Sequence, residues 1–445
     1  PSRAIKAIQQ LESEYNVLAW DSGTRRFDIL GDAASRSQFL ATLKQRVAST
    51  YDERGKATLF VRKAADWCEL LGDQTCDFAE THGITTQEWR FFSVRSNFEM
   101  INTCVLDAAH RWKEALSVDT PRGTIIYCYI EPSRSPESVK NDVAALLRNA
   151  SKSFQVDALP ILIVLLFDDG KLGQALAELA ILEEGFNEQD KLQFGNLIRA
   201  HHEKTHQTVV AEIESLIKER HHISSFKEKI ESRRLGQVCN EIFNRIYPQV
   251  LSFPFDGFST AKGNAADTCQ RLITELLRGM LDYDAVISKP QKDKNRALRT
   301  LKETWQVFTP ATGKITRLPS YGVVRSIIAD WERQLNPENG NLPIAHAIKT
   351  ICAPPYGANI ASAGLLFGVF FAPRINDLII LQDDKPIDIV RLLEDGIFRS
   401  KNLDLSKLEN TILVKSGSAG SEWDKLLDEW EQARNYHDRV DFLER

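Results

Sequence analysis

The sequence predicts a mixed α/β plus α protein. Its expected parts are a winged-helix-like N-terminal unit, a Rossmann-like parallel-sheet module, a long helical connector and a mainly helical C-terminal domain. Three observations carry this expectation. Two near-continuous apolar runs, at 124–130 and 160–167, read as strands covered on both faces. Strand-like and helical patterns alternate between 51 and 187, as in βαβ units. From 235 onward the apolar residues recur mostly at helical spacing.

The elements follow in chain order. Residues 1–50 read as helix, hairpin, helix: Ile5, Ile8 and Leu11 share a face, and short strands at 17–20 and 27–30 flank the Ser22-Gly23-Thr24 turn. Ser35 then caps a helix carrying Phe39, Leu40, Leu43 and Val47. This is a winged-helix outline, with Arg25 and Arg26 at the wing, where a DNA-binding member touches phosphate. Within 51–187, strands are expected at 57–61, 89–93, 124–130 and 160–167, and helices at 97–116, 136–150 and 171–184. A doubly wound sheet satisfies that order. Residues 188–234 read as one or two long charged helices, with a turn near 221–225 if there are two. The stretch 235–445 is the C-terminal domain. Its helices are expected at 235–247, 265–281, 321–335, 343–352 and 359–371, and its strands at 377–382 and 411–415 flank an amphipathic 387–393. That arrangement gives it a winged-helix-like part of its own. The basic, proline-interrupted stretch 289–299 reads as an exposed connection.

Composition excludes several classes. The 445 residues hold 56 Lys plus Arg against 61 Asp plus Glu, a formal charge of −5. Nucleic acid could be held only by a local basic patch. The 7 cysteines form no C-x-x-C pair, which argues against a zinc ribbon or a disulfide framework and points to a reducing cytoplasm. The longest apolar run, at 159–167, is too short to span a bilayer, so no membrane association is expected. The chain opens on Pro1, has only Met100 and Met280, and still shows a helical pattern at Phe442 and Leu443. The expectation is a piece of a longer polypeptide.

Few motifs carry chemistry. His202, Glu203 and His206 match H-E-x-x-H, in which two histidines bind zinc and the glutamate activates water. Lys204 and the charged surroundings suit a surface histidine cluster better. Asp168 and Asp169 end a buried strand as a Walker B acid would, yet no G-x-x-x-x-G-K-[ST] occurs anywhere in the chain. Two acids at a solvated strand end are the plainer reading, with a ligand crevice at the sheet's carboxyl edge as the other. Lys289, Lys292, Lys294, Arg296 and Arg299, followed by Lys302, could contact phosphates or form a solvated linker. Pro354-Pro355-Tyr356-Gly357 reads as a rigid corner between helices.

Three strings carry a resemblance: IYPQVLSFPF, LPIAHAIKTICAPPYGANIASAGLLFGVFF and NDLIILQ. In this order they resemble the C-terminal region of very large bacterial phage-defence P-loop ATPases, of the BREX type and their phosphorothioation-linked relatives. AIQQLESEYNVLAWDSGTRRFDI is similar to the winged-helix segment after their ATPase core. The resemblance implies a cytoplasmic parent that binds ATP and Mg²⁺ upstream of Pro1, works with other subunits of a defence complex, and acts on double-stranded DNA. It transfers no catalytic residue and no cofactor to this chain. The expected role is therefore non-catalytic: coupling nucleotide state to DNA or partner binding. The alternatives are a protein-interaction scaffold without nucleic-acid contact and a zinc hydrolase using the H-E-x-x-H string.

Overall fold

The computed structural model describes residues 18–21, 26–29, 33–226, 230, 232, 234–258, 263–336, 340–389 and 405–416. The fold is mixed α/β, with a largely parallel sheet and extensive helical regions. The chain divides into two compact units. The first takes 1–74, 91–111 and 123–231; the second takes 75–90, 112–122 and 232–445.

In the first unit, β1 (Leu18–Asp21) and β2 (Arg26–Ile29) form an antiparallel pair, followed by helix α1 (Ala33–Thr50). Helix α2 (Glu53–Trp67) stands where the sequence suggested a strand at 57–61. The apolar window hid a helical period: Ala57, Phe60 and Ala64 are buried at i, i+3 and i+7. Asp52 starts the helix by accepting the Gly55 amide at 2.7 Å.

The sheet runs in the order β3 (Gln74–Thr75), β4 (Arg90–Asn97), β5 (Gly123–Ile130), β6 (Ile161–Phe167), β7 (His221–Ser224). Strands β4, β5 and β6 are parallel, and β7 pairs antiparallel with β6. Every residue of β5 is buried, as its unbroken apolar run requires. Gly123 faces the Phe91 ring across the register, where an added Cβ would lie 2.7 Å from it. Among the described residues the strands follow chain order without reversal. The switch-point crevice of a doubly wound sheet is therefore not formed by β4, β5 and β6.

The crossovers are α3 (Ile101–Glu114) and α4 (Pro136–Ser153). After β6 come α5 (Lys171–Glu184) and the 31-residue α6 (Glu188–Lys218), which Asn187 and Asp190 open with a reciprocal capping box. Among the described residues of 219–234 no second connector helix follows. Instead His221–Ser224 turns back as β7, because pairing with β6 satisfies backbone groups that a solvated turn would leave to water.

In the second unit α7 (Leu235–Ile246) packs Phe243 on Phe78 and Trp89, while α8 (Asn264–Leu277), α9 (Gly322–Leu335), α10 (Ile344–Cys352) and α11 (Ile360–Phe371) share the main apolar core. Helix α11 is buried along its whole length, which fits a sequence apolar on every side. Gly368 allows its close approach to α8: an added Cβ would meet Leu276 Cβ at 3.0 Å. A four-stranded antiparallel sheet accompanies the helices, its strands β8 (Asn341–Pro343), β9 (Leu378–Gln382), β10 (Lys385–Ile387) and β11 (Thr411–Lys415) standing in the spatial order β10, β9, β11, β8. Most of the amphipathic 387–393 lies outside the described residues.

The 289–299 stretch, expected as an exposed connection, is mostly helical and only partly exposed. Gln291–Ala297 is an α-helix that continues as a π-helical turn over Leu298–Thr304, burying Ala297, Thr300 and Leu301. Pro290 sits at its N-cap, where a missing N–H costs nothing.

Candidate functional site

A buried polar centre stands out in each unit among the described residues. In the first it lies at the carboxyl end of β6. Asp168 is 5% exposed. Its Oδ1 accepts the Leu172 amide at 3.0 Å, and its Oδ2 accepts the Gly173 amide at 2.8 Å. The Tyr129 hydroxyl donates to the same Oδ2 at 2.7 Å. A carboxylate at the start of a helix is favoured by orphan amides and the helix dipole together. Burial, and then the Asp168 charge, drive the Tyr129 hydroxyl well above its ordinary pKa, so it stays a donor. Asp168 is thus committed to the start of α5 and does not fit a metal-holding Walker B role. Asp169 is solvated and pairs with Lys171 at 2.5 Å.

The second centre surrounds the Pro-Pro-Tyr-Gly turn. Gly357 adopts φ +58°, and an added Cβ would lie 2.7 Å from both Trp89 and Tyr247. The turn docks by backbone pairing: the Gln249 and Leu251 amides donate to the Pro355 and Tyr356 carbonyls. Arg122, 2% exposed, fastens its two ends. Its guanidinium donates to the Cys352 carbonyl at 3.2 Å and the Ala358 carbonyl at 2.6 Å, and lies 4.9 Å from the Trp89 ring centroid.

Glu88, 1% exposed, sits alongside. Its Oε1 accepts the Asn359 side-chain amide at 2.8 Å, while Oε2 has no hydrogen-bond donor among the described residues. Asn359 in turn caps α11 through the Ser362 amide at 2.9 Å. Burial raises the Glu88 pKa, and Arg122 and Asn359 only partly reverse this. Burial likewise pushes the Cys352 thiol up to about 12, which makes it inert as a nucleophile.

The sequence-derived candidates fall elsewhere. Arg25 lies outside the described residues, and Arg26 begins β2. The basic stretch is largely neutralised. Lys289 pairs with Glu275 at 2.6 Å and Arg299 with Asp256 at 2.6 Å. Arg296 donates to the Asp256 carbonyl at 2.8 Å and pairs with Asp293 at 3.5 Å. Lys302 donates to the Tyr283 hydroxyl. Lys292 and Lys294 have no acidic partner among the described residues.

In the H-E-x-x-H string, His202 approaches Glu183 of α5 at 3.6 Å, and Glu203 is exposed beside Gln207. The next histidine toward the N-terminus, His201, approaches Glu178 at 3.5 Å. Among the described residues no group of three His, Cys, Asp or Glu side chains converges as a metal site.

Sequence reasoning missed Glu88 and Arg122. Each is an isolated charge just before a strand, without motif context. The cap at Asn359 was legible as Asn-x-x-Ser ahead of an apolar run. No protein-family model, curated protein or solved structure matches this chain.

Proposed function

We propose that this chain is a non-catalytic C-terminal region of a large bacterial anti-phage defence ATPase. In this reading it couples nucleotide state to double-stranded DNA or to partner subunits. Residues 1–50 act as a winged helix, 51–187 as a Rossmann-like module, 188–234 as a connector, and 235–445 as the mainly helical domain with a second winged-helix-like part. ATP and Mg²⁺ are held upstream, in the cytoplasm.

One observation carries the coupling role. The two residues that secure the Pro-Pro-Tyr-Gly turn, Glu88 and Arg122, stand immediately before β4 and β5 in the chain. A disturbance of the turn is therefore covalently one or two residues from two central strands. Buried polar groups committed to holding elements suit transmission better than turnover. Among the described residues no helix is long and apolar enough to cross a membrane.

The test is the intact mass of the endogenous product, read with its reading frame upstream of Pro1. A longer product with a glycine-rich phosphate loop supports the proposal; a native start within a few residues of Pro1 defeats it. The interaction-scaffold reading draws on Leu192, which is 88% exposed on α6. Light scattering beside a DNA-shift assay separates the two: self-association or partner binding without a DNA shift favours the scaffold.

A further inference from the structure

The second unit contains a cleft of ≈ 330 Å³ between α9 and α10, which neither the coupling nor the scaffold reading uses. That volume is at the lower end of sites for small ligands. Its floor is apolar: Ile327 and Trp331 on α9, Ala347 and Ile351 on α10, each pair one helical turn apart. The aromatic rings of Tyr356 and His346 also line it. Around the rim, the Gln334 amide, the His346 ring and the Tyr356 hydroxyl make no hydrogen bond within the described residues. Arg333 pairs with Asp330 at 2.8 Å but remains 76% exposed, so part of its donor fork faces solvent.

We propose that this cleft binds a nucleobase carrying a phosphate, supplied by a free mononucleotide or by single-stranded nucleic acid. A narrow apolar floor with aromatic rings suits a planar π body, and stacking on such rings is tolerant of sequence. The Gln334 amide can donate and accept along one base edge. Asp330, which holds Arg333 through Oδ1, can use its other oxygen to accept from an exocyclic amine, which favours adenine over uracil or thymine. The Arg333 guanidinium, whose charge Asp330 partly offsets, keeps exposed N–H groups that can donate to the phosphate. The proposal is independent of the ATPase reading, whose nucleotide site lies upstream of this chain.

The test titrates the full chain with AMP, UMP and a short single-stranded oligodeoxyadenylate, read by calorimetry and tryptophan fluorescence. AMP or the oligonucleotide binds saturably, and UMP binds more weakly than AMP. Gln334→Ala and Thr350→Trp alter exposed positions on the cleft wall, and circular dichroism verifies that both fold. Gln334→Ala weakens binding by about tenfold, the size expected when a base loses an edge partner, and Thr350→Trp weakens it at least as much by filling the cleft. Binding of AMP alone names a free nucleotide, and binding of the oligonucleotide alone names a strand; either supports the cleft. No saturable binding of either up to millimolar concentration overturns the proposal, as does binding that Thr350→Trp leaves unchanged. Duplex binding through Lys292 and Lys294 is unaffected by both variants, so the outcomes for the two surfaces are read separately.

Discussion

Arg122 and Glu88 show how much a single buried charge can organise. Arg122→Ala removes two charge-assisted bonds to the turn's carbonyls and takes away the positive charge that offsets burial at Glu88. Such a loss costs about 3 kcal/mol or more. Arg122→Lys recovers little, because a point charge cannot reach two carbonyls as a fork does. Urea unfolding measures both; a loss below about 1 kcal/mol for the alanine variant would remove Arg122 from the turn's support.

Glu88 adds a pH signature. Its pKa is raised in the fold, so the folded state holds a proton that the unfolded chain releases. Stability therefore falls as pH rises from the ordinary glutamate value through the folded one. Glu88→Gln abolishes that slope while preserving shape. Equal pH profiles for the two proteins would show that Glu88 is already ionised at no cost. Tyr129→Phe is the simplest test of the other centre: it removes one bond to a carboxylate, costing about 1.5–3 kcal/mol, without changing the packing volume.

At the scale of elements, α5 depends on a glycine inside its first turn. Gly173→Ala improves helix propensity by about 1 kcal/mol. The new Cβ, however, would stand 2.5 Å from the Tyr129 hydroxyl and 3.2 Å from Asp168 Oδ2. We expect net destabilisation in thermal melts. A gain in Tm would mean that Tyr129 and Asp168 can separate freely.

Elements were legible where the apolar period was long. Lys171–Glu184 coincides with its expected range, and the strands at 124–130 and 160–167 needed only small shifts; the short Thr411–Lys415 also fell on its expected range. They were not legible where a short apolar window fits both periods, as at 57–61, or where tertiary pairing decides, as for β7. The polar centres were illegible for a related reason. Asp168 advertises itself at a strand end, but only folding shows that helix amides and Tyr129 take up its oxygens. Glu88, Arg122 and Asn359 are separated by tens to hundreds of residues, and no local pattern joins them.

Across the whole molecule, a net charge of −5 leaves duplex DNA with one question: where positive charge remains uncompensated. Sequence counting treats Lys289, Lys292, Lys294, Arg296 and Arg299 alike, but ion pairing does not. Asp256, Glu275 and Asp293 neutralise three of them. Asp293 illustrates the balance: burial alone would raise its pKa, but hydrogen bonds from Thr268 and Arg271 and the nearby arginine charges hold it below the carboxylate range. If the chain binds duplex DNA as proposed, Lys292 and Lys294 are the cations of this stretch left to meet phosphate. Lys292→Glu combined with Lys294→Glu should therefore weaken duplex binding for all sequences alike. The slope of log affinity against log salt should flatten by about 0.9 for each phosphate that is no longer neutralised. Arg299→Ala, whose charge Asp256 already offsets, should change affinity by less than about threefold, within the range of exposed pairs. Fluorescence anisotropy across a salt series separates the two cases. If Arg299→Ala weakens binding as much as the double lysine variant, DNA displaces the Asp256 pair, and the whole basic stretch is the contact surface.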